Sequence, residues 1–303
     1  MSTAFGTKGG WKEWVAYRDG TLRDPYGWLT LVESVWLSDQ PQKLENFPGT
    51  WSAQGNTVTA VFESADQSAS DAGAPESADE GDKAKKKSKG KSKAKKKEPE
   101  LKVYREGQLV EGPLVIEVDP EGSDRTLRDE TGREAEVTYR FTGPVVRIRD
   151  PRAKCLEDYL ERGSLDRYGF RKEWVLRGRL LPYDEPEEIE VGTAIPGATS
   201  KLRAWARADF ALPEDEQPIS LVVTGSGPDS SAVIFYDETN GDTTPGWREA
   251  QAAIDGETVV VDFNRASIFP SHMTPHGTCP KPPEENRILR RVEAGEKTFN
   301  ETT

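Results

Sequence analysis

Both histidines, one of the two cysteines and five prolines of this chain fall within residues 262–287, DFNRASIFPSHMTPHGTCPKPPEENR. His272, His276 and Cys279 read as H-x3-H-x2-C, and each of these side chains can ligate zinc. Pro275 and Gly277 flank His276, so the three stand on a loop, where ordinary polar residues fit the same spacing. Cys279 is also a candidate nucleophile, with His276 or Arg265 to lower its thiol pKa. Pro280 after it fits a rigid packed turn equally well. No G-x-S-x-G is present. GSGPDSS lacks the Lys-Ser/Thr of a phosphate loop, and FYDETNGDTT lacks the acid spacing of a calcium loop.

A second set of polar residues brackets the prolines. Asp262, Asn264 and Arg265 end the apolar run TVVVDF, and Glu284 and Asn286 follow the prolines. Asp237, Thr239 and Arg248 come from the preceding hairpin-like stretch, where Asn240-Gly241 suggests a tight turn. Carboxylate, amide and guanidinium groups together suit a small polar or anionic ligand. Asp262, Asp237 and Glu284 could divide acid and base roles in a hydrolase-like reaction. The same groups could simply satisfy loop backbone and lock a fold.

These residues need a scaffold, and the pattern is one of short strands. Residues 11–24 place Trp11, Trp14, Val15, Arg18 and Leu22 on one face of a helix that Pro25 stops. NTVTAVFES alternates, with Val58, Ala60 and Phe62 on one side. LKVYREGQLVEGPLVIEV, EVTYRFTGPVVRIRD, YGFRKEWVLRGRLLPY, EEIEVGTAI, SKLRAWARADFAL, ISLVVTGSG, SAVIFYDETNGDTT, TVVVDF and ILRRVEAGE read as further strands. RAKCLEDYLERG reads as a second helix, with Cys155, Leu156, Tyr159 and Leu160 on one face. The fold expected is mainly β: an N-terminal amphipathic helix and two packed antiparallel β-modules of sandwich or barrel type. Residues 1–62 and 101–150 form the first module, and 151–303 the second, closed by the proline-rich segment.

Residues 63–100 hold nine Asp/Glu, ten Lys and no aromatic or large aliphatic side chain, so they are expected to be a disordered insertion. Its lysines at 83–97 could make weak polyanion contacts. The chain as a whole carries a net charge of −12, which argues against nucleic acid as the partner of the folded body. No run of about 18 apolar residues and no leader-like apolar region is present, so no membrane association and a cytoplasmic location are expected. Two cysteines 124 positions apart do not build a disulfide scaffold.

FYDETNGDTT…WR, VVVDFNRA, TCPKPPEENR and VEAGEKTF, with GWLTLVESVWL near the N-terminus, resemble the bacterial family called domain of unknown function 1684. The likeness extends over most of the chain outside 63–100. It implies no particular reaction, cofactor or ligand. Asp262, Phe263, Asn264, Arg265, Ala266, Pro270, Thr274, Pro275, Thr278, Cys279, Pro280, Pro282, Pro283, Glu284 or Glu285, and Asn286 match the family pattern. Ser267, Ile268, Ser271, His272 and His276 depart from it; Ser271 stands where the pattern has a first cysteine. A metal or Cys-His mechanism built on the histidines would therefore be private to this chain. The expectation is a small polar or anionic ligand held by Arg265, Asn264, Asn286, Arg248 and Thr239. The alternatives are an acid-base enzyme using Asp262, Asp237, Glu284 or Cys279, and a partner-binding protein whose C-terminal motif locks the fold. No cofactor and no metal are expected.

Overall fold

The computed structural model describes residues 5–62, 101–141, 143–211 and 218–299. The insertion expected at 63–100, with its lysines, lies outside them. Helix α1 (Lys8–Leu22) begins where the Thr7 side chain accepts a hydrogen bond from the Gly10 N–H, which satisfies one of the donors a helix start leaves open.

Ten strands follow: β1 (Leu31–Trp36), β2 (Gln42–Lys43), β3 (Thr50–Gln54), β4 (Thr57–Phe62), β5 (Val103–Arg105), β6 (Gln108–Leu109), β7 (Gly112–Glu117), β8 (Ser123–Asp129), β9 (Glu134–Arg140) and β10 (Gly143–Arg149). They make a six-stranded sheet in the order β1-β10-β9-β8-β5-β6 and a four-stranded sheet in the order β2-β3-β4-β7. Alternation decides which faces meet. Val58, Ala60 and Phe62 of β4 pack with Val137, Val146 and Ile148 of β9 and β10 around Trp51, in one core shared by both sheets. The pair is a sandwich.

Helix α2 (Lys154–Arg162) then ends at Gly163, which takes the left-handed conformation at φ 82°. Leu156 and Tyr159 are buried as the helical face predicts, whereas Leu160 is exposed. The remaining strands are β11 (Val175–Gly192), β12 (Thr199–Phe210), β13 (Ile219–Thr224), β14 (Ala232–Asp237), β15 (Arg248–Asp255), β16 (Thr258–Asp262), β17 (Ser267–Ile268) and β18 (Arg287–Ile288). Their order is β17-β15-β16-β11-β12-β13-β14-β18, and β14 pairs again with β15. That extra pairing closes six strands into a barrel. A barrel this narrow leaves little internal room, and Ala206, Ala208, Ala250 and Ala252 supply the small side chains among Phe210, Leu221, Val223, Phe235, Val259 and Val261.

Three expectations change. EEIEVGTAI is no separate strand: β11 runs through it, with a bulge between Pro182 and Glu187. ILRRVEAGE contributes only Ile288 to the two-residue β18, and then runs as an irregular strap whose Val292 and Ala294 enter the barrel core. Helix α1, grouped with the first β-module by sequence, has its contacts with the C-terminal residues. Trp11 Nε1 donates to Asn264 O at 3.1 Å, Arg18 pairs with Glu296 at 3.0 Å, and Leu22 clusters with Leu156, Tyr159, Ile268 and Met273.

Gly178 of β11 faces Phe210 of β12, whose ring lies over the bare backbone. A Cβ there would stand 2.3 Å from Asp209 O and 2.6 Å from the Phe210 ring. Gly178→Ala is expected to destabilise the chain by about 1–3 kcal/mol, the usual cost of overpacking. Equilibrium denaturation measures it, and an unchanged midpoint would show that the β11–β12 pairing is more pliable than its spacing implies.

Candidate functional site

Most of the sequence-derived residues hold backbone. Asp237 ends β14 and Arg248 begins β15, on the inward-pointing side of both strands. Both side chains are fully buried and lie 2.8 Å apart. Asp237 Oδ1 also accepts from the N–H and hydroxyl of Thr239 and from Val292 N–H. Arg248 donates to the carbonyls of Val292, Ala294 and Glu296, and its guanidinium rests over the Phe235 ring at 5.3 Å. The pair plugs one end of the barrel and ties the strap across it. The Asn240-Gly241 stretch is accordingly not a two-residue turn. It lies within the loop joining β14 to β15, held by Thr239, Asn240 and Thr244 side chains.

Asn286 has the same character. Its amide accepts from Val222 N–H and donates to Val222 O and Ile234 O, stitching β13 to β14. Asp262 caps the 3-10 turn Phe263–Arg265 by accepting from Asn264 N–H, while the Asn264 side chain exchanges hydrogen bonds with the Arg171 backbone. Burial raises the Asp262 carboxyl against the pull of Asn264 and Arg265, and burial likewise lowers Arg265 despite Asp262 and Glu13. Their 3.4 Å contact does not offset the loss of water around either group. Glu284 does not return to Asp262: its carboxylate is 87% exposed and faces Arg287 at 3.7 Å.

The histidine and cysteine cluster also separates. Among the described residues no group of three or more His, Cys, Asp or Glu side chains is placed to hold a metal. His272 packs edge-on against Trp247, with ring centroids 4.4 Å apart, and burial drives its pKa down to about 4. Burial also lowers His276, against the opposing pull of Glu33 and Glu45. The neighbours of Cys279 are Ser271, Arg147 and Glu249 rather than His276 or Arg265. Burial pushes its thiol upward, the reverse of what a nucleophile needs.

The feature that sequence reasoning missed lies on the other sheet. In β9 and β10 one face belongs to the sandwich core. The opposite face carries Glu134, Glu136, Thr138 and Arg140 beside Val145, Arg147 and Arg149, in register Arg147↔Glu136 and Arg149↔Glu134. Alternating charge suggests a wet surface, yet Glu134, Glu136, Arg147 and Arg149 are all buried. Two chain segments cover them. Tyr26 donates its hydroxyl to Gly132 O, and Arg147 and Arg149 stand over the Trp28 ring at 5.5 and 5.6 Å. From the proline-rich segment, Thr278 Oγ1 accepts from Arg147 at 2.8 Å and Thr274 donates to Leu31 O.

Against the first of these covers lies a half-open cavity of about 330 Å³, lined by Tyr26, Trp28, Ser123, Arg125, Glu136, Arg140, Arg147 and Arg149, with Thr21, Asp24 and Gly27. Its charge is uneven. Glu134 is shared by Arg125 and Arg128, both at 2.6 Å. Glu136 lies 2.5 Å from Arg149 but 4.0 Å from Arg147. Burial alone would raise Glu136; Arg149, with Arg147 and Arg125 beyond it, holds it below its ordinary value. Among the described residues Arg140 donates to Thr138 Oγ1 and Tyr139 O alone, both neutral. Burial, with Arg140 and Arg149 nearby, lowers Arg147 to about 10. The Nε atoms of Arg147 and Arg149 are buried without a hydrogen-bond partner.

The family described as "Protein of unknown function (DUF1684)" matches residues 163–297. The resemblance carried by the C-terminal motifs therefore holds over the barrel and its closing segment, while GWLTLVESVWL and the arginine cavity lie outside the match. No curated protein matches the chain. A solution NMR structure of the uncharacterized protein from gene locus rrnAC0354 of Haloarcula marismortui is similar at 22% identity, covering 47% of this chain and 80% of that one, with a TM-score of 0.39.

Two outcomes follow from these contacts. Arg248→Ala leaves Asp237 buried without its cation and should cost about 3–5 kcal/mol in denaturant unfolding; a loss below about 1 kcal/mol would mean the strap holds without the pair. For His272 the depressed folded value means that the unfolded chain alone takes up a proton as pH falls below 6.5. Stability should fall by roughly 1 kcal/mol between pH 7 and pH 5, after allowing for partial exposure. His272→Phe should flatten that slope, and an unchanged slope would assign the loss to other groups.

Proposed function

We propose that this chain binds a small anion, and that the binding place is the arginine cavity of the N-terminal sandwich rather than the C-terminal motif. The observation that carries this reading is a surplus of guanidinium charge in a half-open cavity whose floor, Glu136, Arg147 and Arg149, is buried. Among the described residues Arg140 pairs with no carboxylate and Arg147 reaches Glu136 only at 4.0 Å, behind Arg149, in a chain whose net charge is −12. A buried cation without a counter-ion is costly, and a bound anion removes that cost. The guanidinium is suited to the task because its planar fork presents several donors to one oxyanion. The C-terminal motif takes the role of a fold lock: the terminal nitrogens of Arg248 and the side-chain amides of Asn286 and Asn264 are engaged with backbone.

Thermal denaturation of the full chain in sulfate or phosphate, against chloride at equal ionic strength, tests the proposal. An anion at a hundred times its Kd adds about 2.7 kcal/mol to stability and should raise Tm by several degrees. Arg140→Gln and Arg147→Gln should abolish the rise, and Arg265→Ala should preserve it. Equal Tm in all salts, or a rise that survives both cavity substitutions, would overturn it.

A further inference from the structure

The cavity's charge distribution also says what kind of anion it takes. Glu134 and Glu136 are the buried carboxylates of this face, and they stand against Arg125, Arg128, Arg140, Arg147 and Arg149. Arg125 and Arg128 converge on Glu134, and Arg149 takes Glu136. With Asp24 counted, five guanidiniums face three carboxylates, so a shortfall of about two negative charges remains, and it falls on Arg140 and Arg147. A monocarboxylate would neutralise one of them and leave the other without a counter-ion. At the mouth the sign reverses, because Asp24 stands there as an acid with the hydroxyls of Thr21 and Ser123.

Building on the anion-binding reading, we infer that the ligand is a small phosphate monoester, its dianionic head on Arg140 and Arg147 and its hydroxylated body against Trp28, Ser123 and Thr21. The guanidinium forks of Arg140 and Arg147 offer several N–H donors to a tetrahedral oxyanion. Size limits the rest of the molecule. About 330 Å³ is at the lower end of ligand pockets, enough for a phosphorylated polyol or sugar and small for a nucleotide. The Asp24 carboxylate at the rim also repels a second phosphate, which disfavours di- and triphosphates. The Trp28 indole, 36% exposed, provides the apolar wall for a carbon skeleton.

Calorimetric titration of the full chain with methyl phosphate, sulfate, acetate and glucose 6-phosphate separates the possibilities. At pH 7.5 the two phosphate esters and sulfate should bind at least tenfold tighter than acetate, with glucose 6-phosphate tightest. Between pH 7.5 and 5.5 methyl phosphate should weaken about fourfold, because its second proton binds near pH 6. Sulfate keeps its charge over that range and should hold its affinity. It thereby serves as the control for the groups that face the ligand: Asp24, Tyr26, Glu136 and the arginines 125, 140, 147 and 149, with Cys279 behind Arg147. Arg140→Gln should reduce the dianions to the level of acetate, and Trp28→Ala should cost glucose 6-phosphate its advantage over methyl phosphate. Acetate binding as tightly as methyl phosphate would overturn the dianion assignment and leave the anion-binding reading standing. No binding of any of the four to a folded chain would overturn both.

Discussion

A guanidinium taken out of water must find oxygen atoms elsewhere, and this molecule buries several. Arg248 finds Asp237 and three carbonyls of the strap. Arg167 finds Asp19 and Glu296, and Glu296, itself fully buried, also receives Arg18. These sites tie α1, the segment after α2 and the C-terminal strap into one arrangement, because each cation sits on one piece of chain and its acceptors on another. Arg149 has a partner in Glu136 on the neighbouring strand. Arg147 and Arg140 are the exceptions: among the described residues their hydrogen-bond acceptors are neutral, and Arg147 reaches Glu136 only at 4.0 Å, behind Arg149. The same requirement that explains the barrel plug therefore also identifies the cavity.

Much of the architecture was legible because alternation is a direct consequence of strand geometry. Val58, Ala60 and Phe62 are buried where their period of two places them, and the 134–149 hairpin pairs in full register. β15 was not legible because its inward positions after Arg248 are Ala250 and Ala252, too small to mark an apolar stripe. Its one local signal is Asp255-Gly256 at the turn into β16, where Gly256 has φ 58°. The cavity was hidden for a different reason. Arg147 and Arg149 alternate with Val146 and Ile148 as a half-exposed strand does, and local sequence carries no information about a cover supplied by residues 24–28 and 274–278.

The C-terminal motif shows how site-like chemistry and fold-like chemistry share residue types. Asp262, Asn264, Asn286 and Arg248 were singled out as groups that bind small polar molecules. The peptide group is itself a small polar molecule, and these side chains recognise it: Asn286 reads Val222 on both its N–H and its C=O. A family match confined to residues 163–297 covers this locked barrel and not the sandwich. Similarity and candidate binding site therefore lie on different parts of the chain.

The pairing of β1 with β10 has a kinetic side. Leu31 meets Arg149 and Trp36 meets Val145, so one edge of the six-stranded sheet waits for chain made more than a hundred residues later. The cover over the arginines comes later still, since Thr274 and Thr278 dock on Leu31 and Arg147. Contacts of such long sequence separation slow the search for the native state. On a ribosome, β9 and β10 would emerge after residues 24–28, which cover part of their charged face, while Thr274 and Thr278 follow more than a hundred residues later.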